Sequence, residues 1–107
     1  MNYKIATIAN FRKEAKKLIK KYPSLSQELN ELGSELSINP ELGTPVGSNC
    51  FKIRISIASK GKGKSGGARV ITYVYVTETT VILLSIYDKS DRSSISREEI
   101  EELLKQL

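Results

Sequence analysis

Apolar and polar side chains alternate through the middle of the chain in the manner of β-strands. In Cys50–Ala58, Phe51 and three isoleucines occupy every second position between polar, basic or small residues, which is the period of a strand with one buried face. Arg69–Val76 is β-branched and aromatic nearly throughout, and Val81–Tyr87 is almost continuously apolar. Tight connections join the three runs, so we expect an antiparallel meander whose last strand is buried on both faces.

Apolar residues recur at helical spacing before the meander. From Asn10 to Pro23 they lie three and four positions apart, which predicts a helix that Asn10 caps and Pro23 ends. A second helix is expected to begin at Ser24, because Gln27 stands at capping-box distance and four leucines form one stripe behind it. The two helices should form an antiparallel hairpin that packs on the sheet.

The two ends of the chain and a central loop supply the remaining elements. Met1–Ile8 is typical of a short first strand, whereas residues 39–48 contain two prolines and two glycines and are expected to form a loop. Ser96 and Glu99 predict the capping box of a last helix. Its apolar stripe comprises Ile100, Leu103, Leu104 and Leu107. The predicted order β-α-α-β-β-β-α is that of an α+β fold, with a helical hairpin packed on a mainly antiparallel four-stranded sheet.

Length and composition indicate one domain over residues 1–107. The longest apolar run is too short to span a membrane and the chain does not open on a signal-peptide pattern, so we expect a soluble cytoplasmic protein. Cys50 is the single cysteine, which favours a reducing compartment and a role as a buried strand residue. Histidine is absent, so the usual general base and metal ligand are missing. We therefore expect no metal or cofactor, and chemistry by Lys, Arg, Tyr, Ser or carboxylates.

The net charge of +5 is unevenly distributed along the chain. Residues 50–76 hold six basic side chains and no acidic one, centred on the connection Ser59–Arg69 (SKGKGKSGGAR). Lys60, Lys62 and Lys64 suit mobile, non-specific contact with RNA phosphates, although a solvated hairpin tip would have the same composition. The Gly-Lys-Ser inside the connection also matches a loose phosphate-loop pattern. A strand rather than a helix follows it, which argues against nucleotide hydrolysis.

Arg69 is the strongest candidate for chemistry. It opens a strand that otherwise favours burial, and a regular hairpin register would place it beside Lys52 and Arg54 on the preceding strand. Cations held together on a rigid strand repel one another, and a bound phosphate replaces that repulsion with attraction. The pattern therefore predicts a phosphate-binding or catalytic site around Arg69.

Two blocks of sequence carry a family resemblance. The hairpin CFKIRISIASKGKGKSGGARVITYV, followed by ILLSIYDKSD and an amphipathic terminal helix, resembles the RelE/ParE superfamily of toxins from type II toxin-antitoxin modules, in its RelE-like branch. The resemblance covers nearly the whole chain. It implies a fold like that of small microbial ribonucleases. For members with RelE activity it also implies metal-independent cleavage of mRNA in the ribosomal A site, by attack of a ribose 2′-hydroxyl on the adjacent phosphate.

The same resemblance implies site residues and partners. The catalytic cations that it implies are Lys52, Arg54, Arg69 and Lys89. RelE-like enzymes often carry a tyrosine late in the chain where this sequence has Ile95, so Tyr87 is the candidate substitute as acid or base. The implied partners are the ribosome, its mRNA and a cognate antitoxin, encoded by the adjacent gene, that covers the basic face and carries a DNA-binding domain.

Two other functions fit the same residues. A ParE-like inhibitor of gyrase would bind its target without an active site, and an inactive homologue would bind only RNA or the antitoxin. A supercoiling assay distinguishes the first of these from a nuclease, because only the gyrase inhibitor stalls supercoiling and leaves mRNA intact.

Overall fold

Five strands and three α-helices make up residues 2–61 and 66–107, the part of the chain that the computed structural model describes. The strands are β1 (Lys4–Thr7), β2 (Thr44–Gly47), β3 (Cys50–Ile55), β4 (Ala68–Tyr75) and β5 (Thr80–Asp88). The helices are α1 (Ala9–Lys21), α2 (Leu25–Ile38) and α3 (Arg97–Leu104). The predicted α+β class is confirmed, with one strand more than expected.

The strands form a single sheet in the order β1-β5-β4-β3-β2. β1 runs parallel to β5, and the other neighbouring pairs are antiparallel. β3, β4 and β5 therefore form the predicted meander. β5 lies between β1 and β4 and is buried along nearly its whole length, which explains why its sequence is a continuous apolar run rather than an alternating one.

Helices cover both faces of the sheet. α1 and α2 form the predicted hairpin and pack on one face, where the side chains of Leu25 and Leu36 are fully buried. α3 packs on the opposite face over a second cluster that includes Cys50, Ile71 and Tyr87. Cys50 is 1% exposed, as expected for a strand residue of the core, and burial raises the pKa of its thiol to about 11.

Polar side chains of α1 cover the edge of β5 where β1 ends. β1 pairs only with the first part of β5, from Thr80 to Leu83. Beyond it, the Glu14 carboxylate accepts hydrogen bonds from the Ser85 hydroxyl (2.7 Å) and the Ile86 amide (3.3 Å). The Asn10 amide donates to the next free carbonyl of β5, that of residue 84 (3.1 Å). α1 thus supplies bonds that a longer β1 would otherwise make.

The predicted cap at Asn10 is wrong and the one at Ser24, which does precede α2, lacks its side-chain bond. Both side chains have tertiary partners instead. α1 begins one residue before Asn10, so this side chain lies in the first turn and reaches β5. Ser24 has helical backbone angles (φ −67°, ψ −18°) and its hydroxyl does not cap α2. It accepts a hydrogen bond from the Ser59 amide (2.9 Å) and lies 2.8 Å from the Ser59 hydroxyl. Long-range contacts therefore outweigh the local capping pattern at these positions.

The segment 39–48, predicted to be a loop, contains the fifth strand. β2 forms the edge of the sheet beside β3. Pro45 fits this strand because an edge strand can leave one side of its backbone out of the ladder. The register also breaks between Pro45 and Gly47, which is the irregularity expected where proline interrupts pairing.

The predicted capping box of the last helix is confirmed. The Glu99 amide donates to the Ser96 hydroxyl, and the Ser96 amide donates to the Glu99 carboxylate, both at 3.1 Å. Ile100 and Leu103 are buried beneath the helix, but α3 ends at Leu104 and Leu107 is 51% exposed. The apolar stripe is therefore one turn shorter than predicted.

Gly67 lets the backbones of β3 and β4 approach closely at the base of their connection. An alanine Cβ there would lie 2.0 Å from the carbonyl oxygen of Ile55. We expect Gly67→Ala to lower the free energy of unfolding by about 1–3 kcal/mol, because the chain must shift to relieve the clash. Urea unfolding measures the change. In the control Gly33→Ala the added Cβ has open space within α2, and stability should rise by about 1 kcal/mol; equal stabilities would contradict the prediction.

Candidate functional site

One row across three strands brings together an arginine pair and a tyrosine. Arg69 on β4 is paired with Arg54 on β3 and with Tyr87 on β5. Side chains paired in this way leave the same face of the sheet, with Cβ atoms about 4.5–5.5 Å apart. Tyr87 belongs to the cluster beneath α3, so this Arg-Tyr row lies on the α3 face. Lys52 leaves the same face two positions from Arg54, and the predicted hairpin register is confirmed.

Arg69 is the buried member of the arginine pair. It is 3% exposed, whereas Arg54 is exposed, and one Nη1–H donates to the Ala68 carbonyl at 3.1 Å. Burial lowers the pKa of the Arg69 guanidinium, and the neighbouring Arg54 charge lowers it further. The row is thus a place of concentrated positive charge, where an anion would be stabilised.

The Tyr87 hydroxyl adds a polar group to this row. Tyr87 is 5% exposed, and its hydroxyl has no hydrogen-bond partner among residues 2–61 and 66–107. Burial raises the pKa of the phenol, while the charges of Arg92 and Arg69 act in the opposite direction. Because buried hydroxyls are usually hydrogen-bonded, this one is a candidate to donate to a ligand bound beside Arg69.

Arg92 is a site residue that the sequence did not reveal. Its guanidinium carbon lies 5.2 Å from the centre of the Tyr87 ring. The guanidinium donates to both carboxylate oxygens of Glu99, at 2.7 and 2.9 Å, and to the Ser94 carbonyl at 3.0 Å. The bond from Arg92, followed by that from the Ser96 amide, lowers the pKa of Glu99 to about 2. Only the path of the turn after β5 places Arg92 over the ring, so no local motif marks it.

A buried carboxylate at the end of β5 holds the start of the hairpin connection. Asp88 is 1% exposed. Its Oδ1 accepts from the Lys60 ammonium, which also donates to the Ser90 hydroxyl at 2.7 Å, and its Oδ2 accepts from the Tyr22 hydroxyl at 2.9 Å. Burial by itself would raise the pKa of Asp88, but the hydrogen bonds from Lys60, the Ser90 amide and Tyr22 outweigh it and hold the pKa at about 2.

The expectation that Lys60 is a mobile cation is therefore wrong. Its ammonium is enclosed by protein groups and lies 5.7 Å from the centre of the Tyr22 ring. The neighbouring Ala58 amide donates to the Glu28 carboxylate of α2 at 2.8 Å. The start of the connection is thus attached to the helical hairpin. Lys62 and Lys64, the other two predicted RNA contacts, lie outside the described residues.

Lys89 lies just beyond the end of β5, next to the Arg-Tyr row. It directly follows β5, it is half-buried, and its amide donates to the Gly67 carbonyl at 3.0 Å. Since Ala68 pairs with Asp88, Lys89 lies opposite Gly67, two residues before Arg69 along the chain. The fold therefore gathers Lys52, Arg54, Arg69 and Tyr87 on the α3 face and places Lys89 beside the start of β4.

A match to a protein-family model identifies the family to which this chain belongs. The model described as "RelE toxin of RelE / RelB toxin-antitoxin system" matches residues 3–107. The chain belongs to the RelE toxin family. Its members' solved structures share the fold. A mutant of the E. coli toxin RelE in the free state gives a TM-score of 0.66 at 18% identity, over 100% of this chain and 99% of that one.

Two further RelE structures contain an antitoxin. A chain of the toxin-antitoxin complex RelBE2 from Mycobacterium tuberculosis gives a TM-score of 0.63 at 20% identity, over 82% of this chain and 99% of that chain. The mutant E. coli RelE in complex with an antitoxin RelBc peptide gives 0.63 at 19% identity, over 100% and 99%. At these identities the likeness concerns the fold.

The position where the RelE resemblance leads one to expect a tyrosine is apolar in this chain. Ile95 is half-buried and packs against the cluster beneath α3. The phenol at this site is that of Tyr87, on β5.

Among the described residues of this RelE-family chain, no helix is long and apolar enough to cross a membrane.

Proposed function

We propose that this RelE-family toxin is a ribosome-dependent endoribonuclease that inhibits translation by cutting mRNA in the A site. The Arg-Tyr row carries this proposal, because it sets two guanidinium groups and a buried hydroxyl side by side on a rigid sheet. In the proposed reaction the ribose 2′-hydroxyl loses its proton to solvent, its oxygen attacks the adjacent phosphorus, and the bond to the 5′-oxygen breaks as that oxygen takes up a proton from Tyr87. The products are a 2′,3′-cyclic phosphate and a free 5′-hydroxyl.

The residues of the row have two kinds of role in this reaction. Arg69 and Arg54 stabilise the negative charge that develops on the phosphorane oxygens, the kind of contribution that is usually largest in such chemistry. Tyr87 protonates the leaving 5′-oxygen, because a tyrosine phenol carries its proton at neutral pH and can transfer it as negative charge develops on that oxygen. Lys52 and Lys89, at the two ends of the group, add positive charge along the RNA backbone.

Family membership and the positive charge of the chain support the proposed partners. We propose that an antitoxin encoded by the adjacent gene binds the toxin in the cytoplasm, as the antitoxin does in the complexes RelBE2 and RelE with RelBc peptide. We expect that antitoxin to carry a DNA-binding domain. Lys62 and Lys64 are proposed contacts to RNA phosphates on the ribosome.

Primer extension on programmed ribosomes tests the proposal. Purified toxin is mixed with ribosomes that hold a defined codon in the A site, and the new 3′ ends are identified by mass spectrometry. Cuts confined to the A-site codon, with a cyclic phosphate, are expected. Intact mRNA would refute the nuclease; arrest of gyrase supercoiling by the same preparation would then identify a ParE-like inhibitor.

Tyr87→Phe tests the role of the phenol. The change removes one oxygen from a buried ring, so cleavage should slow by about 10²-fold or more if this hydroxyl protonates the leaving group. Single-turnover cleavage measures the rate. Tyr73→Phe on β4, a half-buried tyrosine four positions from Arg69, is the control and should cleave normally. Equal rates for the two variants would exclude Tyr87 as the acid.

A further inference from the structure

One carboxylate at the start of α3 serves two structural purposes. Glu99 Oε1 accepts the Ser96 amide at 3.1 Å and so completes the capping box. The same group accepts the Arg92 guanidinium through both oxygens, at 2.7 and 2.9 Å. Both bonds come from the same nitrogen, Arg92 Nη2, so the carboxylate holds that end of the guanidinium with two charge-assisted hydrogen bonds. The position of Arg92 is therefore tied to the first turn of the helix.

Arg92 in turn lies over the aromatic ring of Tyr87. Its guanidinium carbon is 5.2 Å from the ring centre, within the range of a cation-π contact. A further hydrogen bond to the Ser94 carbonyl, at 3.0 Å, fixes the guanidinium from the side of the turn. α3 covers Tyr87 in the same apolar cluster. The ring is thus enclosed between the helix and a cation that the helix holds.

We infer that Glu99 is a positioning residue, which holds Arg92 over Tyr87 and so sets the electrostatic surroundings and orientation of the phenol. Glu99 itself touches no reacting group in the proposed reaction. Its effect on catalysis rests on the proposed function, whereas its effect on Tyr87 does not and can be measured in the free protein.

The charged groups around Tyr87 shift its pKa in opposite directions, and this difference provides a test. Arg69 on β4, Arg92 in the turn and Glu99 on α3 are the charged groups whose fields act on the phenol. Five more charged side chains line a cleft of about 380 Å³ beside the ring. They are two cations of α1, Lys17 and Lys21, and the carboxylates Glu14, Asp88 and Asp91. Burial raises the pKa of Tyr87, the two arginines lower it, and Glu99 raises it through its own charge.

Removal of Glu99 therefore distinguishes two interpretations. If Glu99 acts only as a nearby negative charge, Glu99→Ala should lower the pKa of Tyr87. If Glu99 holds Arg92 in place, the same change releases the cation and the pKa should rise, by about one pH unit. The direct charge effect is weak because Glu99 is exposed to solvent, so the release of Arg92 should dominate.

The experiment is a pH titration of the full chain labelled with ¹³C at the tyrosine Cζ, with Tyr87→Phe used to assign the signal. Arg92→Ala should raise the pKa of Tyr87, Glu99→Ala should raise it similarly, and the double variant should match Arg92→Ala, because both changes remove the same contact. A fall in Glu99→Ala, or additive shifts, would overturn the inference.

Two control variants separate positioning from helix stability. Ser96→Ala removes the capping hydroxyl but leaves the Arg92–Glu99 contact, so the titration of Tyr87 should not change. Glu102→Ala removes an exposed carboxylate of α3 that pairs with Lys105 instead, and it should also leave Tyr87 unchanged. A shift in Ser96→Ala as large as that in Glu99→Ala would show that fraying of α3, rather than the hold on Arg92, moves the phenol.

Cleavage kinetics give a second readout. In Glu99→Ala we expect kcat to fall about tenfold while KM changes less than twofold. The substitution releases Arg92 from its position over the Tyr87 phenol but removes no contact to bound RNA. An increase confined to KM would assign Arg92 to RNA binding and overturn the positioning role. If the unmodified protein does not cleave mRNA at all, the proposed function fails, yet the titration still decides whether Glu99 positions Arg92.

Discussion

Replacement of Arg69 by alanine is expected to lower the rate of mRNA cleavage by about 10²- to 10³-fold, the usual cost of removing one group that stabilises developing charge. The guanidinium is buried beside Arg54 and in register with Tyr87. In the proposed reaction it would therefore be held in place before the phosphorane forms and would need no rearrangement to act. Single-turnover cleavage on programmed ribosomes, with saturating toxin, measures the effect on the chemical step.

Two further variants make this prediction specific. Arg69→Lys keeps the positive charge but loses the planar fork, so its rate should lie between those of the unmodified protein and Arg69→Ala. Arg12→Ala removes an exposed arginine of α1 that bonds only to Thr7 in the contacts described, and it should cleave normally. If Arg69→Ala keeps the unfolding midpoint and cleaves at the normal rate, Arg69 has no catalytic role.

Asp88→Ala is expected to lower the free energy of unfolding by about 3–5 kcal/mol, the typical cost of breaking a buried ion pair from one side. The substitution leaves the enclosed Lys60 ammonium without its carboxylate and removes the acceptor of the Tyr22 hydroxyl. Urea unfolding monitored by circular dichroism measures the loss. Since the cost arises from the uncompensated lysine, a second change, Lys60→Met, should restore part of the stability.

An exposed ion pair provides the comparison. Glu102 and Lys105 are each 72% exposed, so Glu102→Ala should change stability by less than about 1 kcal/mol. A similar loss in both variants would show that burial does not set the strength of the Asp88 pair.

The Asp88 carboxylate also makes the free energy of unfolding depend on pH in the acid range. The folded-state pKa of Asp88, about 2, lies below its ordinary value of 3.8, so its contribution is complete above the ordinary value and is lost as the pH falls towards 2. The stability difference between the unmodified protein and Asp88→Asn should therefore shrink as the pH is lowered from 5 towards 2. A difference that stays constant over this range would show that the low folded-state pKa of Asp88 is not the source of its contribution to stability.

Periodicity and register could be predicted from the sequence because they depend on local spacing. Alternation in Cys50–Ala58 determined which face of β3 is buried, and the short connection to β4 brought Arg54 opposite Arg69 as expected. Helix caps were less predictable. Ser96 caps α3 as its sequence pattern indicates, whereas Ser24, with a similar pattern, bonds to Ser59. A local motif cannot show that a distant backbone amide competes for the same hydroxyl.

The contacts that complete the site could not be predicted for the same reason. Arg92 and Lys60 lie in polar segments without periodicity, and only the folded chain determines which carboxylate each one reaches. The sequence could therefore predict that Lys52, Arg54, Arg69 and Tyr87 lie on strands, and their role in a site stays a prediction. It did not indicate the ion pairs that hold the surrounding turns.

The cover that α1 provides over the second half of β5 also bears on self-association. An open strand edge presents amides and carbonyls to any other extended chain, and proteins with such edges tend to aggregate. Here the carboxylate of Glu14 and the amide of Asn10 occupy the backbone groups of residues 84 and 86, and β1 contributes a ladder of only four residues. A second copy of the chain would thus find little backbone to pair with along this side of the sheet, so β2, at the opposite edge, is the strand that remains open to such pairing.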